Sequence, residues 1–108
     1  MSRRQLHEEK HDAVREWLAA RLPEADEIEG PDKKDEVYRW AVRLPTGRPL
    51  LRISGTVYDD FAAADIVAAL ENYRAEEWLR ASGNPFLRTG RPNAPDALTL
   101  VPWEEGAG

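Results

Sequence analysis

Residues 37–57, which read VYRWAVRLPTGRPLLRISGTV, decide the fold of this chain. Both ends of this stretch are rich in β-branched, aliphatic and aromatic residues, whereas residues 45–49 between them contain two prolines and a glycine. Strand-forming residues on both sides of a short segment with Pro and Gly are typical of a β-hairpin. The stretch therefore predicts a hairpin over residues 37–57.

Side chains alternate between the two faces of this predicted hairpin, because successive residues of a strand point to opposite sides. One face is apolar and is expected in the core; it contains Tyr38, Trp40, Val42, Leu44, Leu51, Ile53 and Val57. The opposite face is polar and is expected in solvent; it contains Arg39, Ala41, Arg43, Arg52, Ser54 and Thr56. The hairpin is therefore expected to expose a set of arginines.

The chain before the hairpin is expected to form a helix and a connector. From about residue 3 to residue 22, apolar residues recur at the spacing of an amphipathic helix, and Pro23 is expected to end it. Residues 23–36 are acidic and are interrupted by proline and glycine. This composition predicts an exposed connector between the helix and the hairpin.

The chain after the hairpin is expected to form a second helix, a long loop and a third strand. Residues 59–81 carry an apolar stripe at helical spacing, with Asp59 or Asp60 as the expected N-cap. Residues 82–96 are rich in Pro, Gly and Asn, which predicts a loop. Residues 97–101 predict a strand and residues 104–108 a terminal tail, while Trp103 has no assigned place in the core.

Together these elements predict a single small α+β domain over residues 1–108, with the order α-β-β-α-β. The hairpin and the third strand are expected to form a three-stranded antiparallel sheet with two helices on one face. Three short strands leave two unpaired sheet edges, and Trp103 stands just beyond the last strand. These features favour weak self-association as a homodimer, which is the commonest oligomeric state.

Composition limits the cellular setting and the possible chemistry. Cysteine is absent, which excludes disulfides and thiolate metal sites and fits a reducing compartment. The N-terminus lacks the apolar middle region of a signal peptide, and no apolar run has the length of a membrane span. We therefore expect a soluble, cytoplasmic protein with no membrane partner.

Charge is unevenly distributed along the chain, whose formal net charge is -5. Residues 37–57 contain four arginines and no acidic residue, whereas residues 58–80 contain six acidic residues and two arginines. One interpretation is that acidic helices neutralise the basic hairpin within the fold. The other is that the arginines form a binding surface, because guanidinium groups hold carboxylates and phosphates bidentately.

One stretch matches a catalytic motif. Residues 7–11, HEEKH, fit H-E-x-x-H, in which His7 and His11 would ligate zinc and Glu8 would activate water. The motif lies near the N-terminus, and the chain has no other histidine to complete the ligand set. His7 and His11 are therefore weak metal candidates, and the context argues against a zinc-dependent hydrolase.

Other catalytic signatures are missing from the sequence. No cysteine, glycine-rich phosphate loop, dinucleotide-binding fingerprint or serine in a G-x-S-x-G setting is present. The Asp59-Asp60 pair is explained by its expected place at a helix N-terminus. The sequence therefore favours a non-enzymatic protein with no catalytic residues and no cofactor.

The function expected from the sequence is that of a small binding, adaptor or regulatory domain whose partner is a protein. Its candidate binding residues are Arg39, Arg43, Arg52, Arg88 and Arg91. The alternative is a nucleic-acid-binding accessory protein that contacts phosphates through the same arginines. Single-stranded nucleic acids are normally held by aromatic side chains that stack on bases, and the predicted arginine face has none.

Overall fold

Five strands and four helices make up the described part of the chain, which is residues 3–91 and 94–103 of a computed structural model, with side chains described for residues 7–90 and 97–103. In chain order they are α1 (Arg3–Arg21), β1 (Glu27–Lys34), β2 (Val37–Arg43), β3 (Leu50–Ser54), α2 (Gly55–Asp60), α3 (Ala63–Asn72), α4 (Ala75–Arg80), β4 (Pro85–Arg91) and β5 (Ala94–Pro102). None of these helices has both the length and the apolar content needed to cross a bilayer.

The strands form one mixed sheet in the order β1-β2-β3-β4-β5. Neighbouring strands are antiparallel except β3 and β4, which are parallel. The predicted α+β class is confirmed, but the three-stranded antiparallel sheet and the order α-β-β-α-β are wrong in detail. The prediction missed β1 and β4, and with β4 it missed the parallel pair that this strand forms with β3.

The hairpin of β2 and β3 pairs Trp40 with Leu51 and Tyr38 with Ile53, and all four side chains are buried. The second arm ends at Ser54, because Gly55–Asp60 turns into α2 instead of continuing to residue 57. The Ser54 side chain caps α2 by accepting a hydrogen bond from the Thr56 backbone N–H at 3.2 Å.

The acidic segment 23–36, predicted as a connector, contains the edge strand β1. This strand pairs with β2 but has a register shift between Glu29 and Asp32. Most of its side chains are exposed, and Ile28 is the residue of the strand that packs against the core. Because β1 has little contact with the core, it lacks the apolar alternation by which strands are recognised, and the prediction was wrong there.

The single helix predicted over residues 59–81 is divided into α2, α3 and α4. Asp59 and Asp60 lie at the C-terminal end of α2, so their predicted role as an N-cap is wrong. The break between α3 and α4 falls at Arg74, which adopts a left-handed conformation with φ of 52°. Neither proline nor glycine marks these breaks, so the sequence gives no local signal for them.

The predicted loop over residues 82–96 contains β4 and the start of β5. β4 lies inside the sheet, where Phe86 is in register with Arg52 and Leu87 with Ile53. Leu87 is fully buried, because its strand is covered by the helices on one side. The third strand predicted at residues 97–101 is part of the longer β5, and the predicted tail 104–108 lies outside the described residues.

The core lies between the helices and one face of the sheet. Fully buried side chains come from the helices and from the strands, and the largest include Trp40, Tyr58, Leu18, Leu51, Ile66 and Leu87. Trp17 is also buried, whereas Trp78 is partly buried at the border of the core. The end of α1 is tied to α4, because Arg80 donates to the Arg21 carbonyl oxygen at 2.9 Å and pairs with Glu24 at 2.9 Å.

We predict that Gly30→Ala destabilises the protein. Gly30 has φ of +136°, and a Cβ atom there would lie 2.7 Å from the Arg39 carbonyl oxygen of the neighbouring strand. A strained backbone conformation costs about 1–3 kcal/mol, and the free energy of unfolding should fall by at least that much. Urea unfolding followed by circular dichroism measures it. Lys34→Ala, at an exposed position of the same strand, is the control, and identical curves for both variants would contradict the prediction.

Candidate binding surface

One face of the sheet is not covered by the described helices, and we call it the open face. Along β2, β3 and β4 the core-facing side chains alternate with side chains that point to this opposite side. Its members are Glu27, Glu29, Asp32, Arg39, Ala41, Arg43, Leu50, Arg52, Ser54, Phe86, Arg88, Thr99, Val101 and, after the end of β5, Trp103.

The structure places four of the candidate binding residues on the open face. Arg39 lies directly opposite Arg52 in the β2–β3 register, Arg43 lies at the end of β2, and Arg88 follows Phe86 on β4. The side chain of Arg91 lies outside the described residues. The candidates therefore share a face, but their surroundings differ from one half of it to the other.

In the half formed by β1 and β2, acidic residues neutralise the arginines. Arg39 forms an ion pair with Asp32. Arg43 Nη1 lies 3.8 Å from Glu27 Oε2, and Arg48 Nη2 lies 2.7 Å from Glu29 Oε2. Neutralisation within the fold therefore occurs, but β1 supplies these carboxylates instead of the helices that we expected to do so.

In the half formed by β3, β4 and β5, two aromatic residues accompany the arginines. The Arg52 guanidinium lies 4.7 Å from the centre of the Trp103 ring, in cation–π geometry. Trp103 meets Phe86 edge-to-face with ring centres 5.0 Å apart, and its backbone N–H donates to the Asn84 carbonyl oxygen at 2.8 Å. Arg52 is only 7% exposed, so its predicted solvent exposure is wrong.

Sequence reasoning missed Phe86 and Trp103 as residues of this surface. Phe86 was assigned to a loop and Trp103 to no element, so the polar face was expected to lack aromatic residues. The alternation of Thr99, Val101 and Trp103 was the available signal, because residues two apart in a strand share a face.

Arg88 and a shallow cleft complete the open face. Arg88 is exposed, its Nε donates to the Thr89 carbonyl oxygen at 3.2 Å, and within the described residues it forms no ion pair. The cleft, of about 400 Å³, lies over β1, β2 and β3. Ala41 and Leu50 form part of its wall, and Arg39 and Arg48 line it. The face thus combines a charged region, an apolar region and one exposed arginine that forms no ion pair with the described residues.

The two histidines of the HEEKH stretch lie elsewhere, between α1, β2 and α2. His7 Nε2 is 3.2 Å from Asp59 Oδ1, and His7 Nδ1 is 3.3 Å from the Tyr38 hydroxyl oxygen. Both ring nitrogens of His7 therefore have a polar partner, one a carboxylate and the other a hydroxyl. The His11 ring packs 5.0 Å from the Tyr58 ring and 5.1 Å from the Tyr38 ring.

Lys10, between the histidines, is buried, and its Nζ donates to the Tyr58 carbonyl oxygen near the end of α2. A cation at that end of a helix satisfies a free carbonyl and offsets the negative end of the dipole. Within the described residues, no group of three or more His, Cys, Asp or Glu side chains is placed to hold a metal ion. The geometry therefore gives this stretch a packing role, while the expectation that zinc is not needed stays a prediction.

Burial shifts the pKa values of Tyr58 and His11, whose rings pack against each other. Burial raises the pKa of Tyr58 far above its ordinary value of 10.0, so its hydroxyl remains neutral at any physiological pH. Burial, followed by the nearby His7, lowers the pKa of His11 from its usual 6.5. The cluster is thus arranged to keep these two groups uncharged and packed.

We compared the sequence and the structure with those of known proteins. No protein-family model, curated protein or solved structure matches the chain. The interpretation of the open face therefore depends on its own residues and contacts.

We predict that Arg52→Ala lowers stability although Arg52 lies on the open face. The substitution removes the guanidinium beneath Trp103 together with its buried aliphatic stem, which should cost about 1–3 kcal/mol. Chemical unfolding followed by far-UV circular dichroism measures the loss. Arg88→Ala is the control, because an exposed arginine should change stability by no more than about 0.5 kcal/mol. Equal losses in the two variants would contradict the packing role of Arg52.

We also predict that stability falls as the pH is lowered from about 7 to about 5. The pKa of His11 is lowered in the folded state, so the unfolded chain binds more protons once the pH drops below the usual 6.5. The stabilisation is complete above that value and is lost as the pH falls through the folded pKa. Glu24 and Glu71, whose pKa values are lowered from 4.5 by their hydrogen bonds with arginines, act only at lower pH.

The measurement is the free energy of unfolding of the wild type and of His11→Gln across this pH range. The variant should show a flatter dependence, because it lacks the titrating ring. A wild-type curve that is level between pH 7 and 5, or a variant that follows it throughout, would show that His11 does not control the transition.

Proposed function

We propose that this chain is a small non-enzymatic domain that binds another protein through the open face. The observation that carries the proposal is the edge-to-face pair of Phe86 and Trp103, both half-buried, on a sheet face that the described helices do not cover. The half-buried Leu50 lies on the same face. Aromatic residues and arginine are enriched at the centres of protein interfaces, where they supply much of the binding energy.

The arginines expected to bind the partner have different roles in this proposal. Arg39 and Arg43, already paired with β1 carboxylates, form a polar rim that limits which partners fit. The Arg52 guanidinium packs against the Trp103 ring and positions it on the open face. Arg88 is the exposed cation beside the aromatic pair. The apolar centre, with its charged border, has the composition of a standard interface.

Binding of a single-stranded nucleic acid is the second candidate, and one observation favours it. Phe86 and Trp103 lie beside Arg52 and Arg88 on one sheet face, and exposed aromatics with arginines are what such proteins use to stack bases and contact phosphates. The net charge of -5 and the carboxylates of β1 oppose an extended phosphate backbone. We therefore rank protein binding first.

Self-association and cytoplasmic location also remain proposals. The edge strands contain Pro31 in β1 and Pro95 and Pro102 in β5, and prolines make sheet edges poor templates for pairing. A homodimer would therefore use the open face instead of an edge. The absence of cysteine supports a reducing compartment and hence the cytoplasm.

The proposal predicts that Leu50→Asp weakens partner binding without unfolding the chain. A carboxylate in the apolar centre of an interface should weaken binding by about tenfold or more. The control is Ala68→Asp, which places the same charge at an exposed position of α3 on the helix side. Both variants and the wild type are used for affinity capture from the source cells, with quantitative mass spectrometry and with thermal melts by circular dichroism.

A protein recovered by the wild type and by Ala68→Asp, but lost by a folded Leu50→Asp, supports the proposal. Recovery of the same proteins by Leu50→Asp would contradict it. Partners that disappear after nuclease treatment would favour the nucleic-acid candidate instead.

A further inference from the structure

The two halves of the open face differ in whether their arginines are paired with carboxylates. In the β1–β2 half, each of Arg39, Arg43 and Arg48 has a carboxylate from β1. In the β3–β5 half, the described residues include no acidic side chain on this face, and Arg88 forms no ion pair within the described part of the chain. A partner that covers this half would be most stable if it brought a carboxylate to Arg88.

The aromatic pair lies at a fixed distance from that arginine. Phe86 and Arg88 are two residues apart on β4 and so project on the same face, about 7 Å from each other along the strand. Trp103 packs against Phe86 and against the Arg52 guanidinium, so the apolar contact surface is already assembled before a partner binds. An extended peptide repeats its side chains at the same spacing of about 7 Å.

We propose that the β3–β5 half binds an extended peptide segment with an apolar side chain and an acidic side chain two residues apart. This inference rests on the proposed function and specifies the kind of segment that the open face binds. The apolar side chain packs on Phe86 and Trp103, and the carboxylate pairs with the Arg88 guanidinium. Leu50, which lies on the same sheet face in β3, offers apolar surface to a further side chain of the segment.

A carboxylate fits this site better than the phosphates of a nucleic acid. Nucleic-acid binding gains its affinity from several phosphate contacts at once. Here the neighbouring arginines of β2 are already paired with β1, and the carboxylates of Glu27, Glu29 and Asp32 lie on the same face. One exposed arginine beside a packed aromatic pair suits a single charged side chain in an apolar context.

The test is a selection of random octapeptides displayed on phage against the immobilised full chain. The wild type should enrich Asp or Glu two residues from a Leu, Ile, Phe or Trp. Arg88→Glu should enrich Lys or Arg at the acidic position instead. Arg43→Glu, which makes the same charge change in the β1–β2 half, should keep the preference for an acidic residue. Circular dichroism establishes that each variant is folded.

Synthetic peptides from the selection are then measured by isothermal titration calorimetry. Arg88→Glu should bind the acidic peptide about tenfold more weakly or worse, and a peptide with lysine in place of the acidic residue should regain affinity for this variant. Enriched peptides without an acidic residue, an acidic preference that survives in Arg88→Glu, or no enrichment at all would overturn the inference.

Further measurements separate this inference from the proposed function. Neutral peptides that bind the wild type but not Leu50→Asp would overturn the inference and leave binding through the open face in place. Peptides whose affinity falls neither in Leu50→Asp nor in Arg88→Glu would overturn both. Oligo(dT) of 20 nucleotides is tested in parallel, and binding of it in preference to the peptides would overturn both in favour of nucleic acid.

Discussion

The parallel pairing of β3 with β4 is the constraint on which the rest of this structure depends. Antiparallel neighbours can be joined by a tight turn, but parallel neighbours require a crossover that returns the chain to the same end of the sheet. Here α2, α3 and α4 make that crossover. Because the crossover and α1 cover one face, the opposite face stays open, and β4 then brings Phe86, β5 and Trp103 to it.

A strand of this fold can be predicted from the sequence only where its contact with the core leaves a clear apolar pattern. The β2–β3 hairpin is predictable because its strands bury one face and expose the other, which produces a clear alternation. β1 is an edge strand with little contact to the core, and its acidic residues and Pro31 resemble a connector. β4 was hidden by the surrounding glycines and prolines, and its place in the sheet is set by a strand more than thirty residues earlier.

In the candidate site, the residues that share a face of one hairpin can be predicted from the sequence, whereas their contacts with other strands cannot. Alternation along β2 and β3 predicts that Arg39, Arg43 and Arg52 share a face, and they do. It does not reveal that a tryptophan covers Arg52 or that carboxylates of β1 neutralise the others, because those contacts depend on sheet order. Phe86 and Trp103, which distinguish the β3–β5 half of the face, therefore lie in a predicted loop and outside any predicted element.

The contact between Lys10 and the Tyr58 carbonyl oxygen makes a local helix depend on a distant one. A six-residue helix such as α2 is too short to be stable alone, and its acidic last residues, Asp59 and Asp60, oppose its own dipole. The compensating charge comes from α1, 48 residues earlier in the chain. The stability of α2 as a helix therefore depends on tertiary assembly more than on its own sequence.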